Sequence, residues 1–289
     1  MLGTMDDAHV EVAGLTKRYG DKTAISGVSF RIDAGESVAL LGPNGAGKTT
    51  TIEILEGFRR ATAGRVRVLG CDPDRAGPTW RARVGIVLQQ TGTFDEATVG
   101  ELLRQFAAYY PAPRDVAELI EAVGLTAQAG TRISRLSGGQ RRRVDVALGV
   151  IGNPSILFLD EPTTGFDPEA RREFWALIRA IRSRGTTILL TTHYLDEAAE
   201  LSDRAIVIAA GTVLADSPLA QLGGPDAHKP HVRWTDPSGD HLEITADPGA
   251  VVTAIHARGN YSDLSVTTPS LEQTYLDVID RARTGGVRQ

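Results

Sequence analysis

Alternating and continuous apolar stretches follow one another along the chain, separated mostly by glycine and aspartate turns. Residues 10–17 and 23–32 alternate loosely around a Tyr19-Gly20-Asp21 turn, which predicts two half-buried strands. Residues 37–41, Ser-Val-Ala-Leu-Leu, are continuously apolar, as in a strand covered on both faces. A helix is predicted from 49 to 55, with Gly57 as its C-terminal stop. Residues 64–69 alternate again and 83–88 read as a strand. The texture then changes. Leu102, Leu103 and Phe106 fall on one side of a helix predicted over 98–110, which Pro111 and Pro113 stop. A second helix covers 116–123 and ends near Gly124.

Alternation of helix and strand then resumes. Helices are predicted over 140–151, 167–184 and 195–201, and strands over 155–159, 187–191, 205–208 and 212–215. Asp167 at the cap, Pro168 at the first helical position and Gly185 beyond the end punctuate the second of these helices. Such alternation predicts an α/β fold with a mainly parallel sheet flanked by helices. From Gly223-Gly224-Pro225 a polar linker runs to Pro230. Beyond it, strands at 231–235, 241–245 and 264–267 and helices at 251–258 and 270–283 predict a small ββαβα unit. The expected domains are therefore 8–222, with a helical insertion at about 91–135, and 223–289.

Composition narrows the function classes. The 289 residues carry a net charge of −5, which argues against a sequence-independent grip on nucleic acid. Cys71 is the sole cysteine, so no disulfide forms within the chain. The first ten residues lack the basic start and apolar core of a signal peptide. The longest apolar region, 144–159, is interrupted by Asp145, Asn153 and Pro154, short of the about 18 apolar residues a spanning helix needs.

The strongest chemical signal is Gly42-Pro43-Asn44-Gly45-Ala46-Gly47-Lys48-Thr49, in a chain whose only other lysines are Lys17, Lys22 and Lys229. A glycine-rich turn between a buried strand and a helix leaves main-chain N–H groups and the helix dipole facing an anion. Lys48 reaches phosphate oxygens, and the Thr49 hydroxyl suits Mg²⁺. Residues 156–161 form an apolar strand ending in Asp160 and Glu161, at the edge where parallel sheets bind ligands. Asp160 is placed to hold Mg²⁺ and Glu161 to polarise an attacking water. Leu136-Ser137-Gly138-Gly139-Gln140 is a second capped, glycine-rich helix start and so a second anion seat. Arg141-Arg142-Arg143 behind it fan over more than half the helix and read as a solvated face.

These motifs, in this order, resemble the ATP-binding subunits of ABC transporters over about residues 8–216. The resemblance implies a P-loop NTPase fold of the ABC ATPase kind: a mixed core sheet, an antiparallel β subdomain, a helical insertion and a small C-terminal α/β domain. It implies ATP and Mg²⁺ as ligands. ATP would be bound by Tyr19 on the adenine, by Gly42, Pro43, Asn44, Gly45, Ala46, Gly47, Lys48, Thr49 and Thr50, and by Ser137, Gly138, Gly139 and Gln140 of a second copy. Thr49, Gln89 and Asp160 would hold the metal. Glu161, His193 and Gln89 would be catalytic, with Gln90 an equally good amide one step on, and Asp167 would touch the partner copy. The implied partners are a second copy in the ATP-bound state and an ABC-2-type transmembrane permease, with no nucleic acid. The implied place is cytoplasmic, on the inner face of the cell membrane. Within the family, Gln140–Arg143, Leu159–Gly165 and Ser270-Leu271-Glu272 lean toward ABC-2-type exporters of drugs, antibiotics or lipids, similar to antibiotic-resistance exporters of the daunorubicin type. Phe166 and Ala97 stand where the family usually has leucine. The alternative is an ABC ATPase without transport, such as a translation or DNA-repair factor. One domain without a coiled-coil arm disfavours it. A P-loop kinase leaves the second glycine motif unexplained.

Overall fold

The computed structural model describes residues 8–88 and 94–285. It divides into two compact units, one ending at Val213 and one starting at Leu214, ahead of the linker expected from composition. In the first unit, β1 (Ala8–Tyr19) and β2 (Lys22–Asp33) form a hairpin around the expected turn. β3 (Ser37–Leu41) is buried at every position, as its unbroken apolar run requires. Then come α1 (Lys48–Leu55), β4 (Ala63–Val68), the single-turn α2 (Pro78–Arg81) and β5 (Val84–Val87). The insertion contributes α3 (Val99–Ala107) and α4 (Val116–Ala122), capped by Thr98 and Asp115. There follow α5 (Gly138–Val150), β6 (Ile156–Asp160), α6 (Pro168–Arg182), β7 (Thr187–Thr191), α7 (Leu195–Leu201) and β8 (Arg204–Ala209). The boundary between units falls inside β9 (Thr212–Pro218), which is longer than its predicted span.

The mixed architecture resolves into separate sheets. β2, β1 and β4 make an antiparallel sheet in that order, while β5, β6, β7, β3, β8 and β9 lie side by side in a second. Pairing is parallel between β5 and β6, β6 and β7, β7 and β3, and β3 and β8. All strands from β5 to β8 therefore deliver their C-terminal ends to one edge. Helix α1 touches β2 and β4 of one sheet and β6 of the other, so its apolar residues Ile52, Ile54 and Leu55 join both into one core. At the far end of α5 the backbone itself makes the contact. A Cβ on Gly85 would lie 2.2 Å from the Gly149 carbonyl oxygen, so both glycines are needed for α5 to approach β5 so closely.

In the second unit, β10 (His231–Asp236) is flanked by β11 (Gly239–Ile244) and β12 (Ser262–Thr267), both antiparallel to it. With α8 (Pro248–Arg258) and α9 (Leu271–Gly285) this is the predicted ββαβα unit. Among the described residues, no helix is long and apolar enough to cross a membrane.

Candidate functional site

The loop after β3 is shaped by steric need. A Cβ at Gly42 would meet the Ile208 carbonyl oxygen at 2.1 Å, and Gly45 and Gly47 hold φ of 79° and 105°, left-handed values that suit glycine. Gly47 caps α1 without any side-chain acceptor, so the first N–H groups of the helix are available to an anion. The Lys48 ammonium is buried and donates to the carbonyls of Gly42 at 2.7 Å and Pro43 at 3.2 Å. Burial pulls its pKa down, against the pull of Glu161 and Asp160. A cation held only by neutral carbonyls gains when phosphate oxygens replace them.

At the end of β6 the register sets Asp160 beside Thr191 of β7. The Thr191 hydroxyl donates to Asp160 Oδ1 and accepts the Glu161 N–H at 3.1 Å. The Thr191 carbonyl accepts the same N–H, also at 3.1 Å. Glu161 has a φ of 45°, a left-handed conformation that a glutamate rarely adopts. The doubly held N–H is what keeps it there. Its carboxylate receives the Thr164 hydroxyl at 3.3 Å and stands 3.6 Å from His193 Nδ1. Burial raises the pKa of Asp160, Glu161 adds to this, and the Thr191 hydroxyl and Lys48 oppose it. A buried acid beside a second acid is a seat that a divalent cation relieves. Among the described residues no three His, Cys, Asp or Glu side chains cluster as a metal cage. Mg²⁺ needs one or two protein oxygens beside substrate phosphates, and the Asp160 carboxylate and Thr49 hydroxyl are oxygens of that kind.

The second glycine-rich helix start is capped as expected. Ser137 and Gln140 make a reciprocal capping box, at 3.0 and 3.2 Å. No atom crowds the Cα of Gly138, and the nearest to that of Gly139 is the Ala170 methyl, 3.8 Å from a Cβ built there. Both face a cleft of about 630 Å³ shared with Glu161, Phe166 and Asp167, and none of residues 42–49 lines it. Asp167 caps α6, accepting from Glu169 and Ala170 at 3.0 and 2.8 Å. Tyr19, 41 % exposed, ends β1 with Lys17 Nζ 5.0 Å from its ring centre. The Arg59 guanidinium stands 5.7 Å from the same ring centre. His193 packs against Tyr194, and the Arg171 guanidinium stands 4.2 Å from the centre of the Tyr194 ring. Gln89 and Gln90 lie outside the described residues.

Three residues escaped sequence reasoning. Thr191 reads only as the end of a buried strand, and its role comes from register. Arg142 was given to solvent with its neighbours but is buried, which corrects that reading. Glu56 directly follows α1, and its carboxyl oxygens are buried without a hydrogen-bond partner among the described residues. Burial first, then Asp160 and Glu53, push its pKa up to about 8. A carboxyl raised above its unfolded value of 4.5 stabilises the fold below that pH, and the contribution fades as pH rises through about 8. Glu56→Gln should therefore raise the melting temperature, with a gain larger at about pH 8.5 than at about pH 5. Calorimetry at both values checks this, and a gain independent of pH refutes it.

Known proteins share this arrangement. The sequence profile described as ABC transporter matches residues 25–164. The Nod factor export ATP-binding protein I of Rhizobium johnstonii is 36 % identical over 96 % of this chain and 97 % of its own length. A daunorubicin resistance ATP-binding protein of Streptomyces coeruleorubidus is 40 % identical over 75 % of this chain and 71 % of its own length. Among solved structures, an ATP-binding subunit of an ABC transporter superposes with a TM-score of 0.67 at 28 % identity, covering 74 % of this chain and 91 % of that one. An ATP-binding cassette in its ADP conformation gives 0.65 at 25 % identity, covering 74 % and 92 %. With an anion loop, a paired-acid strand end and a second glycine seat built on one α/β core, the chain belongs to the ABC transporter family, as one of its ATP-binding, ATP-hydrolysing subunits.

Proposed function

We propose that this chain powers an exporter, of the ABC-2 type, and that two copies close head to tail around ATP. The observation that carries this reading is the convergence of Lys48, Asp160, Glu161 and His193 at one sheet edge. It is joined to relatives named for Nod factor export and daunorubicin resistance. The same names weigh against an ATPase without transport. The loop amides of 42–49 and Lys48 bind the phosphates, Thr50 extends that first helical turn, and Tyr19 stacks on the adenine. Thr49 and Asp160 would hold Mg²⁺, with Gln89 as the third expected ligand, and the ion would supply charge neutralisation for the transferred phosphoryl group. Glu161 takes a proton from the attacking water, and His193 orients both the acid and the γ-phosphate. Ser137, Gly138, Gly139 and Gln140 of the second copy cover the nucleotide. The C-terminal unit, which starts at Leu214 ahead of the boundary at 223 read from composition, contains none of these residues and is an accessory domain.

The permease docks in an apolar groove of about 560 Å³ lined by Phe58, Trp80, Ile86, Leu88, Phe94 and Phe106. Phe58 is 64 % exposed, an unusual state for a phenylalanine with no partner to cover it. The chain thereby sits at the cytoplasmic face of the membrane without entering it. The test is to seek a neighbouring reading frame with about six apolar spans and co-express its product with this chain. The two should co-purify, and Phe58→Asp should abolish that association while nucleotide affinity stays within about twofold. Separation of the wild-type pair on purification sinks the transport reading.

A further inference from the structure

The second of the three arginines behind Ser137-Gly138-Gly139-Gln140 turns inward. Arg142, on the second turn of α5, keeps only 8 % of its side chain exposed. Its Nε donates to the Pro162 carbonyl at 2.9 Å and its Nη1 to the Leu88 carbonyl. Nη2 reaches the Asp160 carbonyl at 3.5 Å. Asp145, one turn further along α5, stands 3.7 Å from Nη1 and fixes the charge in place. Only arginine fills this seat, because its planar fork carries five N–H donors at fixed angles, whereas lysine offers one compact ammonium.

The three carbonyls are not scattered. Leu88 follows β5 and directly precedes Gln89. The Asp160 carbonyl belongs to the peptide bond that enters Glu161, and Pro162 is the residue after it. One guanidinium thus holds the main chain on both sides of a glutamate whose own φ is left-handed. It does so from the helix that opens with the second anion seat. Asp145 borders both the cleft at that seat and the apolar groove.

We propose that Arg142 is a positioning residue for hydrolysis, which transmits the pose of the α5 N-terminus to the main chain around Glu161 and so aims that carboxylate at the attacking water. The proposal rests on Glu161 being the general base. The Arg142 guanidinium is engaged by three main-chain carbonyls and Asp145, so it acts through main-chain geometry. Its loss therefore lowers the chemical step far more than ATP binding, because the main phosphate grip is built on the loop after β3.

The experiment compares purified full-length Arg142→Lys, Arg142→Gln and Glu161→Gln with wild type. It measures ATPase kinetics, binding of a fluorescent ATP analogue with Mg²⁺, and melting temperature. Arg142→Gln should lower kcat about a hundredfold and Arg142→Lys about tenfold, with KM and analogue affinity within about twofold of wild type. A soluble variant that turns over like wild type overturns the proposal. So does a loss in which affinity falls as far as kcat, because that marks a collapsed site. If Arg142→Gln does not fold, Arg142→Lys decides by the same criteria. An inactive Glu161→Gln beside fully active Arg142 variants removes only the positioning role. A fully active Glu161→Gln removes the base assignment and the proposal together.

Discussion

Glu161→Gln should bind ATP as wild type does and lose nearly all turnover, with kcat falling by about 10² to 10⁴. The exchange preserves shape. The contacts that hold residue 161 in its left-handed conformation come from its main-chain N–H to Thr191, and they survive the change. The neutral amide still accepts the Thr164 hydroxyl but no longer takes a proton from water. Since ATP persists in the site, the two-copy state proposed to close around it should accumulate. Steady-state phosphate release measures the first effect, and size-exclusion chromatography with ATP and Mg²⁺ measures the second. Wild-type phosphate release from this variant means another residue is the base.

Lys48→Ala should abolish tight ATP binding at the outset. The ammonium is buried and rests on the Gly42 and Pro43 carbonyls, so little further desolvation opposes its transfer to phosphate oxygens. A charge-assisted hydrogen bond contributes about 1.5–3 kcal/mol, and two of them correspond to an affinity loss of about 10² to 10⁴. Titration calorimetry with ATP checks this, with the melting temperature as a control for folding. An affinity within about threefold of wild type contradicts the assignment of the loop at 42–49.

The linear order of elements was legible because burial and periodicity agree locally. The continuous runs at 37–41, 156–159 and 187–191 became β3, β6 and β7, the most enclosed strands of the sheet. The caps at Ser137 and Asp167 form with the partners their spacing implies. What stayed hidden depends on contacts between distant segments. Thr191 gains its importance from lying opposite Asp160, a register that no local pattern encodes. Arg142 sits in a polar run, and helical spacing alone cannot say that β5 and β6 end above it. Glu56 looks like a surface acid after a helix, yet its carboxyl is buried beside a groove that residues of α2 and the insertion line with it. The single turn of α2 is too short to carry a periodic signal, and Pro78 at its first position was the sole local hint.

The close approach of Gly85 to Gly149 also governs how α5 can move. Backbone touches backbone at that end, so the rod cannot slide along the sheet and has there a pivot. Its 13 residues make an arm of about 20 Å, and a tilt of about 5° would swing the Ser137 tip by about 2 Å. Such a swing is large enough to make or break a hydrogen bond to a phosphate, yet it asks almost nothing of the packing near the fulcrum.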